Sequence, residues 1–177
     1  MRALKADEIE VRVGQVFEKG VSMLLYKNAR TDMAILDEMH GTMGWYCDYK
    51  EVKGNLFCGI GVQDKSGYIV WKWDCGTESN TEKEKGEASD AFKRAGFRWG
   101  IGRELYTAPF IWLPVATVPI PNTSPTRYRL HNPRELNGIY VSKINTEEVN
   151  GKLKITELEL SQKAQGSAGV VYSWKER

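Results

Sequence analysis

Lys93, Arg94 and Arg98 stand within the stretch TEKEKGEASDAFKRAGFRWG (81–100), whose pattern predicts a helix. At 100° per residue the three cations fall in an arc of about 140°, well away from a second arc, about 100° wide, that holds Ala88, Ala91, Phe92, Ala95 and Trp99. Arg94 and Arg98 are one turn apart, and cations at about 5–6 Å spacing on a rigid element can follow successive phosphates. Phe97, Trp99, Tyr106 and Tyr26 supply rings of the kind on which unpaired bases stack. The plainer reading of the same residues is a solvated cationic face over an aromatic core.

Signals for catalysis are weaker. His40 and His131 are far apart, and His40 falls at the end of an expected helix. Cys47, Cys58 and Cys75 come one per expected strand, without the paired spacing of structural zinc sites, and read as core cysteines. Asp48, Glu51, Asp64 and Asp74 lie on or beside strands, where a metal nuclease would need its carboxylates to converge. Gly100-Ile101-Gly102 is too short to be a phosphate loop.

The elements that would carry these groups can be read in order. ADEIEVRVGQVFEKG has Ile9, Val13 and either Val16 or Phe17 at helical spacing, so an N-terminal helical region is expected, followed by an apolar strand over 21–26. TDMAILDEMHG predicts a helix capped by Thr31, with Asp32 in its first turn and Gly41 at its end. Three strands follow, 45–52, 56–63 and 68–75, joined by Lys53-Gly54-Asn55 and by Asp64 to Gly67, which predicts an antiparallel meander. All six prolines fall between 109 and 134, an extended crossing segment. Beyond it, 138–145, 152–162 and 169–175 form a small antiparallel sheet, with Asn150-Gly151 as its hairpin turn and a bulge near Glu157. The expected class is α+β: a three-stranded antiparallel meander packed on a long helix, an N-terminal helical region and a C-terminal β-hairpin or small sheet. The expected divisions are 1–108, 109–134 and 135–177.

With 177 residues, 41% of them hydrophobic, the chain suits one domain with an appendage. It has no run near the ~20 apolar residues of a membrane helix and no signal-peptide pattern. Three unpaired cysteines fit a reducing interior. The formal net charge of +2 hides an asymmetry: residues 1–90 carry 12 Lys/Arg and 16 Asp/Glu, whereas 91–177 carry 13 and 7. Between 91 and 134, seven basic residues face the single acid Glu104. Such a block is the usual footprint of a polyanion partner.

Tyr26, Glu38-Met39, Gly41 and Gly44-Trp45, then the meander with its Asp64 to Gly67 turn, then Lys93-Arg94-Ala95 and Trp99-Gly100, resemble in kind and order the conserved domain of the Rad fifty-two/Rad twenty-two single-strand annealing family. The likeness spans about residues 5–115. It implies a cytoplasmic protein of phage or prophage type that anneals complementary DNA strands in recombination and repair. The protein would be a homo-oligomeric ring or helical filament that binds single-stranded DNA in an outer groove, with no ATP, metal or nucleophile. A phage exonuclease or a host single-strand-binding protein would be its partner. Carried over by position, Lys93, Arg94 and Tyr26 match groove residues. Arg98 lies one place beyond a family arginine whose aligned position is Phe97, and Lys53 and Lys19 are the nearest cations to two others. Two rival readings stand beside it: a double-stranded-RNA-binding-like module, from the helix–three strands–helix order over 31–98, and a metal-dependent nuclease or junction resolvase.

Overall fold

The computed structural model describes residues 1–77, 83–164 and 167–176. Its elements are β1 (Glu10–Phe17), β2 (Gly20–Tyr26), α1 (Ala29–His40), β3 (Trp45–Val52), β4 (Asn55–Gln63), β5 (Ile69–Cys75) and α2 (Lys83–Arg98), then β6 (Ile111–Leu113), β7 (Thr117–Ile120), β8 (Arg127–Leu130), β9 (Ile139–Val149), β10 (Lys152–Ala164) and β11 (Ser167–Lys175). Among the described residues all strand pairings are antiparallel, and the class is α+β. The chain divides into two compact units, one of residues 1–4 and 27–103 and one of residues 5–26 and 104–177. Among the described residues no helix is long and apolar enough to cross a membrane.

The N-terminal helical region is not there. Only a 3-10 turn, Ala6–Glu8, precedes β1, which pairs with β2 from Glu10↔Tyr26 to Phe17↔Gly20. Val11, Val13 and Val16 are β-branched and prefer a pleated surface. The spacing Ile9–Val13–Val16 mimics a helical stripe because one extra residue is inserted between Val13 and Val16, a β-bulge that shifts the alternation by one.

In the first unit β3, β4 and β5 form one sheet in chain order. The Lys53-Gly54 turn has both residues at positive φ, 53° and 74°. The Asp64 turn is held by its own carboxylate, which accepts from the Ser66 amide, the Ser66 hydroxyl and the Tyr68 amide at 2.8, 2.6 and 3.0 Å. Facing residues place Trp45, Cys58, Ile60, Val62, Lys72 and Asp74 on one side of the sheet, and α2 touches that side. Trp45 meets Phe92 edge-on at 6.0 Å, and the Trp99 indole N–H donates to the Ile60 carbonyl at 2.9 Å. Ala91, Phe92 and Ala95 of α2 are fully buried, the arc that the 100° spacing selects. The expected start of this helix at Thr81 and Glu82 lies outside the described residues. α1 begins earlier than its sequence suggests: Asn28, not Thr31, is the cap, its side-chain oxygen accepting from the Thr31 amide at 3.1 Å. Gly41, at φ 73°, ends the helix.

The more apolar face of β5 points away from α2. Trp71 and Trp73 stack at 5.6 Å between centroids and fill the space above Gly61 and Gly59 of β4. A Cβ on Gly59 would lie 2.5 Å from the Trp73 ring, so only glycine fits opposite it.

The second unit contains sheets β1-β2-β6, β9-β10-β11 and β7-β8. The proline-rich stretch supplies the three short strands β6 to β8. Asn150 and Gly151, at φ 52° and 73°, turn β9 into β10. One extra residue between Ile155 and Glu157 resets the alternation there, so Ile155, Leu158 and Leu160 all reach the core.

Candidate nucleic-acid interface

The outer face of α2 carries Lys93, Arg94 and Arg98. Their side chains are 31%, 51% and 55% exposed, but each faces a carboxylate. Asp90 takes the Arg94 Nε at 3.0 Å and lies 3.9 Å from the Lys93 ammonium, while Asp74 of β5 takes the Arg98 Nε at 2.9 Å. Asp90 also accepts from the amide and the hydroxyl of Thr77. Partial burial would raise the Asp90 pKa, but the Arg94 and Thr77 hydrogen bonds outweigh it and hold the carboxyl below the usual range.

Two cations that sequence reasoning did not assign to the site stand with Arg98. Arg103 donates from Nε to the Phe97 carbonyl at 2.8 Å and from Nη2 to the Arg98 carbonyl at 2.7 Å, with its guanidinium 5.5 Å from the Phe97 ring centre. The Lys72 ammonium reaches the same Arg98 carbonyl at 3.2 Å and lies 4.2 Å from the Trp99 ring centre. Both compensate the negative end of the helix dipole. Arg103 was visible as part of the basic block, but Lys72 had no local signal.

Beneath this face lies a buried ion pair. The Lys27 ammonium is 2.5 and 2.6 Å from the Asp32 carboxylate oxygens and 3.3 Å from the Lys93 carbonyl. The side chains are 8% and 0% exposed. Asp32 therefore does more than complement the dipole of α1: together with Lys27 it ties the start of that helix to the middle of α2. Gly102 makes room for the pair, since a Cβ there would lie 2.7 Å from Lys27 Cε, and its φ of 74° disfavours any side chain.

Burial pushes the Asp32 carboxyl up to about 6 from 3.8, against the charge and hydrogen bond of Lys27. The folded protein thus holds this proton through a range in which the unfolded chain has lost it. The associated stability is fully present below about pH 4 and is lost as pH rises through about 6. Asp32→Asn is expected to flatten the dependence of unfolding free energy on pH between 4 and 6, measured by denaturant titration at a series of pH values.

The other candidates are distributed as follows. Lys53 occupies the exposed β3–β4 turn of the first unit. Tyr26 and Lys19 belong to the second unit, Tyr26 at the end of β2 and Lys19 in the exposed β1–β2 turn. The Arg12 guanidinium lies 5.1 Å from the Tyr26 ring centre. A hydrogen bond to Glu10, aided by burial and the Glu10 charge, raises the Tyr26 phenol pKa.

Several of the groups considered for catalysis have defined neighbours. Cys47 and Cys58 have sulfurs 3.6 Å apart, but Cys75 lies on the opposite face of the sheet. Their mutual hydrogen bond lowers the Cys47 thiol pKa and raises that of Cys58. Asp64 is committed to its turn and Asp74 to Arg98 and the Cys75 amide. Among the described residues no three His, Cys, Asp or Glu side chains group as metal ligands.

No known protein family, curated protein or solved structure matches this chain.

Proposed function

We propose that this protein binds single-stranded DNA and promotes annealing of complementary strands, as a homo-oligomeric ring or filament that uses no ATP, with β3, β4, β5 and α2 as its β-β-β-α core. The observation that carries this reading is the row Lys93, Arg94, Arg98 on the outer face of a helix whose opposite face buries Ala91, Phe92 and Ala95. A rigid cationic row lowers the cost of lining up phosphates, since the cations are already in place. The resemblance of the sequence to the annealing family supports the same reading and supplies its oligomeric form.

The mechanism is physical. Phosphates replace Asp90 and Asp74 as partners of the cations, the backbone is held extended, and the bases stay free to test a second strand. Correct pairing then drives the reaction through stacking, about 1.4 kcal/mol per step.

Asp90 is a competitor built into the row. Asp90→Asn keeps an oxygen for the Thr77 donors and removes the charge that holds Lys93 and Arg94. Single-strand affinity is expected to rise severalfold, with a steeper salt dependence, in fluorescence anisotropy with a labelled oligonucleotide. Unchanged or weaker binding would mean that the pair does not compete with phosphate.

The function itself is tested by annealing of complementary strands with a chelator and without nucleotide, beside electron microscopy with and without DNA. Rings or filaments with accelerated annealing support the proposal. Preference for duplex RNA in competition favours the RNA-binding reading, and magnesium- or manganese-dependent cleavage favours a nuclease.

A further inference from the structure

Within the second unit, the bulged end of β1, β6 and the start of β8 enclose an open cleft of about 1010 Å³. Its lining includes the rings of Phe17, Trp112 and Tyr128 and the exposed cations Lys19 and Arg127. Phe17 and Trp112 meet at 5.3 Å with their planes 53° apart, and Phe110 continues the aromatic run, stacked on Trp112 at 6.3 Å. The setting of the cations differs from that on α2. Lys93, Arg94 and Arg98 each face an aspartate, whereas Lys19 and Arg127 are exposed and make no ion pair among the described residues. Glu18 is the single acid among the lining residues, and it is exposed.

From this combination we infer that the cleft is a second nucleic-acid site, which takes single-stranded DNA with bases against Trp112, Phe17 and Tyr128 and phosphates at Lys19 and Arg127. Aromatic walls alone would suit many apolar ligands. Cations that no carboxylate holds in an ion pair select an anion, and planar rings in the same lining select one that carries flat, stackable groups. The volume, about 1010 Å³, lies at the upper end of the range of small-ligand sites, about 300–1,000 Å³, and the cleft is open to solvent, as a site for part of a longer strand must be. The inference rests on the single-strand-binding reading and extends it to residues outside the helix row. It gives Lys19 a defined neighbour set and adds Phe17, Trp112, Arg127 and Tyr128.

The test uses the full chain and two 5′-labelled probes of equal length, oligo(dT) and the same strand with abasic sites throughout. Lys19→Ala/Arg127→Ala, both at exposed positions, is expected to leave the fold intact by circular dichroism. It should lower the slope of log K against log salt for oligo(dT) by about 1.4, near 0.7 for each phosphate no longer neutralised. Trp112→Phe, which keeps a ring in the wall, should retain most of the affinity for oligo(dT), and Tyr128→Ala should weaken oligo(dT) more than the abasic strand. Ultraviolet crosslinking of oligo(dT) should place adducts on Trp112 or Tyr128. An unchanged salt slope in the double variant, with binding still sensitive to Lys93→Ala, overturns the cleft and leaves the helix row standing. Equal loss for both probes in Tyr128→Ala overturns the stacking role. No binding by the wild-type chain overturns the cleft and the annealing reading together.

Discussion

At pH 7, where the Asp32 carboxyl has lost its proton and the pair is ionic, Asp32→Ala should cost about 3–5 kcal/mol of folding stability, the range for removing one partner of a buried ion pair. Lys27 would be left with its ammonium among buried groups, beside the Lys93 carbonyl at 3.3 Å but without its carboxylate. A loss of that size is a large fraction of the ~5–15 kcal/mol that holds a typical domain together. The two halves of the pair are not equivalent. Lys27→Met leaves a carboxyl that already takes up a proton near pH 6, so the folded state can accept it neutral and the loss shrinks as pH falls. Lys27→Met/Asp32→Leu removes both charges and should recover much of the stability lost by Asp32→Ala, because well-packed apolar groups often replace a buried pair without loss. Urea unfolding of the three variants at pH 5 and pH 7 measures all of this. A loss below about 1 kcal/mol for Asp32→Ala would show that water reaches the pair.

Single-strand binding should fall about a hundredfold or more in Lys93→Ala/Arg94→Ala, taking ~1.5–3 kcal/mol for each charged hydrogen bond to phosphate and 1.4 kcal/mol per factor of ten. The slope of log K against log salt should drop by about 1.4 as two phosphates go without a cation. Both side chains project from the outer face of α2, and their partner Asp90 keeps its Thr77 bonds, so the melting temperature should change little. Anisotropy at several salt concentrations, beside a thermal melt, separates a binding defect from unfolding. Unchanged affinity would remove the helix row from the interface. Together with Asp90→Asn, which should move affinity the other way, these variants ask whether the ion pairs on α2 are a resting state that DNA displaces or simply a part of the surface.

Lys27 and Lys93 illustrate how differently two lysines of one chain act. Lys93 projects outward, and its pairing with Asp90 at 3.9 Å is loose. Lys27 points inward and holds Lys93's own carbonyl, so the position of the cationic row depends on a residue that is almost wholly buried. Residues that hold a surface row in place from beneath in this way have no signature in spacing or composition.

Sequence alone determined whatever depends on near neighbours along the chain. The buried arc of α2 follows from 100° per residue, and Ala91, Phe92 and Ala95 are where that rule puts them. The Lys53-Gly54 and Asn150-Gly151 turns, the Asp64 turn and the bulge beside Glu157 were legible because turn chemistry is local. Tertiary structure decided what depends on partners distant in the sequence. Ile9, Val13 and Val16 read as a helical stripe until β2 claimed β1 and a bulge accounted for the spacing. The pairing of Lys27 with Asp32 beneath Lys93 was hidden because nothing near either residue says that α2 lies against them. The matching of Arg98 to Asp74, 24 residues away, was hidden for the same reason. The cleft of Phe17, Trp112 and Arg127 joins positions about a hundred residues apart. The basic block after residue 90 was plain in the sequence, but only the fold distinguishes the cations that carboxylates hold from those left facing solvent, because that difference lies in distances across the chain.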